Sequence, residues 1–402
     1  MNPNGRLLTG IKILDLANEN GSFCSKLLAD MGASVIKIER PGGDSSRGIG
    51  PFRGGSQDPE KSLFFQYNNT NKRGITLDLE QSKGREVFTR LLSKADIMVE
   101  TFHPGYLKEL GLEYEVLSDI NPGLILLSVT GFGQDGPRSG YKSCDLVASA
   151  FGGAMYVSGS PSTPPLNPFG EQSFYAASLF GAISALLALR RRAQNGKGEH
   201  IDLSMQEAVS STLDHVMVRY FYDQVIPGRQ GSLHWDNSFY IFPCKDGHIL
   251  LTIFQQWETL VELMASEDMA EDLTGDNWKN EEYRLERINH IVEVLGRWAG
   301  THTTDELFRL GQLMHFPWAP VNSLKEVMVS PQLKARSFFI DIDHTEIGKS
   351  VKCPSSPCKF GYASLDRWKR APLIGEDNIS VYRDEIGLSE EELQELSSLN
   401  II

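Results

Sequence analysis

Cysteine is scarce in this chain and does not pair up: five residues in 402, an odd number, widely scattered. Cys24, Cys144 and Cys244 stand alone, so no disulfide framework is legible. Cys353 and Cys358 form a C-x4-C pair around Pro354 and Pro357, but no second pair or neighbouring His completes a zinc set. The nine histidines do not cluster and H-E-x-x-H is absent, so no metal is expected. No run of about 18 apolar residues occurs, which argues against a bilayer span. Met1 to Leu8 lack the apolar stretch of a secretory signal, and with unpaired cysteines this reads as a cytoplasmic chain. Positive charge is in deficit too. The formal net charge is −13, whereas general nucleic-acid and membrane-surface binders are basic, so neither is an expected partner. An anionic ligand would need cations gathered locally.

What is present excludes a disordered or fibrous chain: 41% of residues are hydrophobic and 23% charged. The length allows two or three domains. Ile11-Lys-Ile-Leu-Asp-Leu16 reads as a buried strand. Phe23, Leu27, Leu28 and Met31 recur at helical spacing, Gly32 closes the helix, and Val35-Ile-Lys-Ile38 is a second strand. Such a βαβ start opens a doubly wound sheet. The pattern continues with Gly74–Leu79, a helix over Lys83–Lys94, Ile97–Val99 and Leu124–Val129. Ala176–Leu189 is apolar on nearly every side and predicts a helix buried in the centre, closed by Arg190, Arg191 and Arg192. Later, Tyr240–Phe242 and Ile249–Ile253 predict a hairpin around Asp246-Gly247, followed by acidic amphipathic segments. Ser389-Glu-Glu-Glu392 predicts a capping box with Leu388 and Leu393 as its staple. The expected fold class is α/β, with a Rossmann-like doubly wound large domain and a smaller α+β domain. The large domain is expected to take residues 1–221 and 329–402, the small one 222–328.

The usual nucleotide and hydrolase signatures are missing: no G-x-G-x-x-G in the first βα loop, which offers the single glycine Gly21, no P-loop, no G-x-S-x-G. Glu39, ending the second strand, stands where a ribose-binding acid could stand. Instead, glycine-rich turns carry basic residues: Arg40-Pro-Gly-Gly43 to Arg47, Asn68 to Arg73, and Glu100-Thr-Phe-His-Pro-Gly105 followed by Lys108. Arg40, Arg47, Lys72, Arg73, Lys108 and Lys142 are thereby expected on loops at strand ends, where open α/β sheets bind ligands and where cations suit phosphates.

Taken in order, these motifs resemble the family III CoA-transferases, the group of formyl-CoA transferase, carnitine CoA-transferase and α-methylacyl-CoA racemase. The matching stretches include Leu8-Thr-Gly-Ile-Lys-Ile-Leu-Asp15, Val35-Ile-Lys-Ile-Glu-Arg-Pro41, Asn71-Lys-Arg-Gly-Ile-Thr-Leu-Asp-Leu79 and Ala95-Asp-Ile-Met-Val-Glu100. They continue through Gly131-Phe-Gly-Gln-Asp-Gly-Pro137, Gly196-Lys-Gly-Glu199, Pro317-Trp-Ala-Pro-Val321 and Ala371-Pro-Leu-Ile-Gly-Glu376. The resemblance implies an interlocked dimer, with CoA or acyl-CoA as substrate and no tightly bound cofactor. By positional match it implies CoA contacts at Asn20, Gly21, Arg40, Leu77, Asp78, Thr101 and Phe102, extending to Glu80, and at Lys142. The first loop departs from the family pattern, with Asn20-Gly-Ser-Phe23 in place of Ala-Gly-Pro.

The same resemblance implies a nucleophilic Asp that attacks the acyl-CoA, forms a mixed anhydride and then an aspartyl thioester. Its position, counted from Gly159 and Pro164-Pro165 upstream and from Arg192 and Gly196-Lys-Gly198 downstream, is Phe174. Phe has no nucleophilic atom. The racemase branch carries a catalytic His where this chain has Cys144, so that chemistry lacks both partners. Glu171 is the candidate substitute carboxylate, Cys144 reads as a packed thiol, and Asp145 as a helix cap. The expectation is a subunit of a heteromeric CoA-transferase, its paralogous partner supplying the aspartate, on the pattern of succinyl-CoA:(R)-benzylsuccinate CoA-transferase. A homodimer using Glu171 and a non-catalytic CoA-binding or assembly protein are the alternatives.

Overall fold

The computed structural model of the chain describes residues 6–363, 365 and 368–402. Its first elements are β1 (Lys12–Leu16), α1 (Ser22–Asp30), β2 (Ser34–Glu39), α2 (Leu63–Asn68), β3 (Arg73–Thr76), α3 (Ser82–Leu92), β4 (Ile97–Glu100), α4 (Tyr106–Glu109), α5 (Tyr114–Ile120) and β5 (Ile125–Thr130). There follow α6 (Asp145–Phe151), the single turn α7 (Ala154–Val157), α8 (Gln172–Asn195), β6 (Glu199–Ser204), α9 (Met205–Ser211) and α10 (Asp214–Asp223). The six strands form one parallel sheet in the order β3-β2-β1-β4-β5-β6. Winding reverses between β1 and β4, which leaves a crevice at their carboxyl ends. Strand residues alternate between two cores: Leu14, Ile36, Ile75, Met98 and Leu126 face one, while Ile13, Val35, Ile97, Val99 and Leu127 face the other.

The chain divides into two compact units. One comprises residues 1–154, 167–225 and 337–402; the other comprises 155–166 and 226–336. The second unit contains β7 (Phe239–Pro243), β8 (His248–Thr252), α11 (Trp257–Ala265), α12 (Glu281–Glu286), α13 (Ile288–Ala299), α14 (Thr304–Leu313), β9 (Ala319–Pro320), α15 (Leu324–Val329) and α16 (Pro331–Ala335). β7 and β8 are the antiparallel hairpin, and β9 pairs with β8. Phe316 stacks on Trp318 at 4.6 Å, and the Trp318 indole N–H donates to Thr252 at 2.9 Å. Expected boundaries at 222 and 328 thus differ from the observed ones. Residues 155–166 belong to the second unit because Gly231 N–H donates to Gly159 carbonyl and Arg229 Nε to Ser160 carbonyl, long-range bonds that leave no local sequence signal.

The last segment holds the hairpin β10 (Phe339–His344) and β11 (Lys349–Pro354), a π-helical turn at Ser380–Glu385 and α17 (Glu390–Ser398), which carries the expected capping box at Ser389 and Glu392. It rejoins the sheet at its β3 edge. Gly74 N–H donates to Asp377, Thr76 N–H to Asn378 and the Tyr382 hydroxyl to Thr76 carbonyl, which satisfies groups an edge strand otherwise leaves open.

Helix α8 corrects one expectation. It is longer than Ala176–Leu189, and it is not buried all round. Gly181, Ala182, Ala185 and Ala188 are packed, and a Cβ on Gly181 would lie 3.0 Å from Leu127 and 3.4 Å from Cys24. On another face Leu179, Phe180, Ile183 and Leu187 are between 40% and 61% exposed. Small residues let the helix lie close on the sheet, and large apolar ones point away. Among the described residues α8 is the one helix long and apolar enough to cross a membrane by length and composition; its small-residue face packs as that of a core helix does.

A buried charge network sets the first loop. Lys72, expected to face a phosphate, instead has its ammonium group fully buried, 2.8 Å from Asp15, 2.8 Å from Ser22 carbonyl and 2.7 Å from Asn69 Oδ1. Burial pushes the Lys72 pKa down to about 8 against the pull of Asp15. Burial pushes the Asp15 carboxyl up, but the Lys72 and Lys37 charges outweigh it and hold that carboxyl below its ordinary value. Removing one member leaves the other buried without its partner. Lys72→Met is expected to lower the unfolding free energy by about 3–5 kcal/mol, measured by urea denaturation at neutral pH; a change below about 1 kcal/mol would contradict this role.

Candidate functional site

The crevice at the carboxyl ends of β1–β4 is a cleft of about 490 Å³. Its apolar walls are Leu16, Ile38, Leu77, Leu79 and Phe102, and Tyr106 packs on Phe102 at 4.7 Å between ring centroids. Polar groups enter from Asn18, Arg40, Asp44, Asp78, Glu80 and Thr101. The Arg40-Pro-Gly-Gly43 turn forms one rim. Gly43 has φ +101°, and a Cβ there would lie 2.9 Å from Arg47 and 3.0 Å from Ile374, so glycine is required.

Of the residues expected to contact ligand, Arg40, Leu77, Asp78, Thr101 and Phe102 line this cleft, and Asn20, Gly21, Lys108 and Lys142 do not. Gly21 is buried, and a Cβ on it would meet Thr101 Cγ2 at 2.8 Å. Its place is to let α1 approach the β4 loop. Asn20 N–H donates to Asn18 Oδ1, and Asn18 exchanges hydrogen bonds with Thr101 at 2.8 and 2.9 Å. Lys108 on α4 and Lys142 ahead of α6 are exposed.

The expected cation cluster largely disperses into structural pairs. Arg47 is 1% exposed and forks onto both oxygens of Glu39, at 2.6 and 2.8 Å, with Glu60 at 2.7 Å. Glu39 is therefore committed to Arg47 and to Asp44 N–H rather than open to a ribose. Arg73 pairs with Glu385. Arg40 stays at the rim with its side chain 70% exposed, 3.6 Å from Glu80. An exposed pair at that distance is weak, so the guanidinium is available to an incoming anion.

Behind the Phe102 wall lies a group the sequence reading passed over. Glu100 ends β4, is 2% exposed, and accepts a 2.6 Å hydrogen bond from Phe102 N–H. Burial pushes its pKa up to about 7, against hydrogen bonds from Ser128 and Phe102 N–H that favour the carboxylate. Ser128 in turn lies 2.9 Å from His200 Nε2 on the edge strand β6. The available signal was Glu100-x-Phe102-x-x-x-Tyr106, which sets an acid at a strand end two residues before an aromatic at i, i+4 spacing.

A second locus is the amino end of α8. Phe174 is its third residue, 5% exposed and part of the core. Asp145 caps this helix, not its own: Ser173 N–H donates to Asp145 Oδ1 and the Ser173 hydroxyl to Asp145 carbonyl, both at 2.9 Å. The carboxylate thus sits where the helix dipole is positive. Glu171 precedes the helix, half-buried, with no capping bond from its side chain. Burial, then the Asp145 and Glu19 charges, push its pKa up. Cys144 is exposed. Among the described residues no cluster of His, Cys, Asp and Glu could hold a metal ion.

Comparison with known proteins agrees with the fold. Residues 8–378 match the sequence pattern of CoA-transferase family III. The chain is 32% identical over 381 residues to the succinyl-CoA:(R)-benzylsuccinate CoA-transferase subunit BbsE of Thauera aromatica, covering 92% of each. It is 34% identical over 413 residues to the succinyl-CoA–L-malate CoA-transferase alpha subunit of Chloroflexus aurantiacus, covering 98% of this chain and 92% of that one. A crystal structure of a CAIB/BAIF family protein from Brucella suis superimposes with a TM-score of 0.85 at 29% identity, over 95% of this chain and all of the other.

The amino end of α8 depends on Asp145. Asp145→Ala is expected to destabilise the fold by about 1 kcal/mol, read from the denaturation midpoint, and Asp145→Asn by less.

Proposed function

The chain belongs to CoA-transferase family III, and within it we propose that this chain is the subunit of a heteromeric CoA-transferase that does not carry the nucleophile. CoA transfer between carboxylic acids is the activity of its relatives, with acyl-CoA as substrate. The observation that carries the finer reading is Phe174. The position matched to the family's aspartate holds a buried aromatic ring at the start of α8. A carboxylate there must attack a thioester carbonyl, and a phenyl ring cannot. The aspartate is then supplied by a paralogous partner.

Two further observations support pairing. Leu179, Ile183 and Leu187 on α8 and Phe221 and Tyr222 on α10 are large, apolar and exposed, with Phe221 and Tyr222 at 72% and 85%. A single soluble chain rarely presents so much apolar surface without a partner to cover it. Two relatives are themselves named as subunits. We place CoA in the cleft at the carboxyl ends of β1–β4, its adenine against Leu77, Phe102 and Tyr106 and a phosphate at Arg40. By the name of its relative, the acids exchanged are succinate and an aromatic succinate such as benzylsuccinate.

Glu171 is the competing nucleophile. It lies at the right helix end, and burial, then the Asp145 and Glu19 charges, raise its pKa, which works against the carboxylate a nucleophile needs. The test is turnover of succinyl-CoA with benzylsuccinate by the purified chain, alone and co-expressed with an Asp-bearing paralogue. We expect none alone and turnover in the complex; robust turnover alone overturns the proposal. Glu171→Ala is expected to leave turnover of the complex within about twofold, whereas a loss of about a thousandfold would identify Glu171 as the nucleophile.

A further inference from the structure

A row of polar side chains, Glu100, Ser128 and His200, leads from the wall of the cleft to the outer strand of the sheet. Glu100 on β4 is paired in register with Ser128 on β5, and Ser128 with Asp202 on β6, two residues beyond His200. The Glu100 carboxyl accepts from the Phe102 amide at 2.6 Å, Ser128 lies beside it as its register partner on β5, and the Ser128 hydroxyl meets His200 Nε2 at 2.9 Å. Glu100 is 2% exposed, whereas His200 is exposed on the edge strand and stacks on Tyr114 at 5.5 Å. Ser128 and His200 thus lie in sequence between the buried acid and the outer edge of the sheet. The charged groups facing it are Asp202, which disfavours the carboxylate, and His103, which favours it. Partial desolvation of the ring lowers the His200 pKa, against the pull of Asp202 and Glu115.

We propose that Glu100 is a proton-linked positioning residue of the ligand cleft, taking up one proton through Ser128 and His200 when a polyanionic ligand such as CoA binds against the Thr101–Phe102 wall. The inference rests on the placing of CoA in this cleft. Its chemistry balances without any other reactant. Ser128 passes its hydroxyl proton to the Glu100 carboxylate and receives the Nε2 proton of His200, and His200 takes a proton from solvent at Nδ1. One proton enters from bulk, His200 ends as the other neutral tautomer, and Glu100 is neutral. The Phe102 amide keeps its acceptor throughout, because the neutral acid still offers its carbonyl oxygen while its O–H donates to Ser128. The wall stays in place and only the charge behind it changes. An anion brought near a buried carboxylate raises that group's proton affinity, so binding and protonation favour each other.

Glu100→Gln copies the neutral acid, with a carbonyl for Phe102 N–H and an NH2 for Ser128. Calorimetric titration with CoA, in buffers of different ionisation enthalpy, counts protons taken up on binding. For the wild-type complex we expect net uptake that depends on Glu100, and affinity that tightens several-fold from about pH 8 to about pH 6. Glu100→Gln is expected to lose that share of the uptake and to bind at all pH values as tightly as wild type does at low pH. Unchanged uptake in Glu100→Gln overturns the inference while leaving the cleft assignment standing. Failure of CoA to bind either protein overturns the assignment. In that case infrared difference spectra of the ligand-free proteins still decide. A neutral-carboxyl band that fades as pH rises through about 7 in wild type, and is missing in Glu100→Gln, supports the proton-holding role; its absence from wild type refutes it.

Discussion

The Lys72 ammonium group is the point on which the large unit turns. It is fully buried, and its acceptors are Asp15 at the end of β1, Ser22 carbonyl at the start of α1 and Asn69 between α2 and β3. Three separate chain segments converge on one charge. Asp15 also receives the Ser25 hydroxyl at 2.6 Å and Ala17 N–H at 3.0 Å, so the β1–α1 connection has little freedom. That fixes Asn18, which in turn holds Thr101 at the mouth of the cleft. The ion pair costs desolvation, and its value lies in specifying where the loop must go.

The cleft solves a charge problem by a route that composition does not reveal. A chain of net charge −13 with an anionic substrate needs local cations, yet Arg47, Lys72 and Arg73 are spent on Glu39, Asp15 and Glu385. What remains at the cleft is Arg40 at the rim, an apolar floor and carboxylates already engaged. Asp44 caps the Ser45–Gly48 turn, and Asp78 accepts from Glu80 N–H and Gln81. A nucleotide would be held here chiefly by stacking and shape, with one strong anion contact.

The sheet was legible in the sequence because its strands are short apolar runs bounded by glycine and polar turns, and the hairpin at Asp246-Gly247 and the cap at Ser389 carry their own chemistry. Family resemblance added what periodicity cannot: a nucleophile position and a substrate class. Side-chain partners were not legible. Nothing local distinguishes Lys72, which turns inward, from Arg40, which stays exposed, because the difference is set by Asp15, 57 residues away in sequence. Asp145 looked like a cap and is one, but for α8, through a contact spanning 28 positions. The apolar helix looked wholly buried because hydropathy does not separate a face turned to the sheet from a face left exposed.

Phe174 is the residue on which the proposed function rests, since the resemblance places the family's aspartate at that position. The direct measurement is to treat the native complex with succinyl-CoA, trap acyl-enzyme with hydroxylamine or borohydride, and map the modified peptide by mass spectrometry. The account predicts an adduct on an aspartate of the partner subunit and none on this chain. A trapped carboxylate on this chain, at Glu171 or elsewhere, would contradict it.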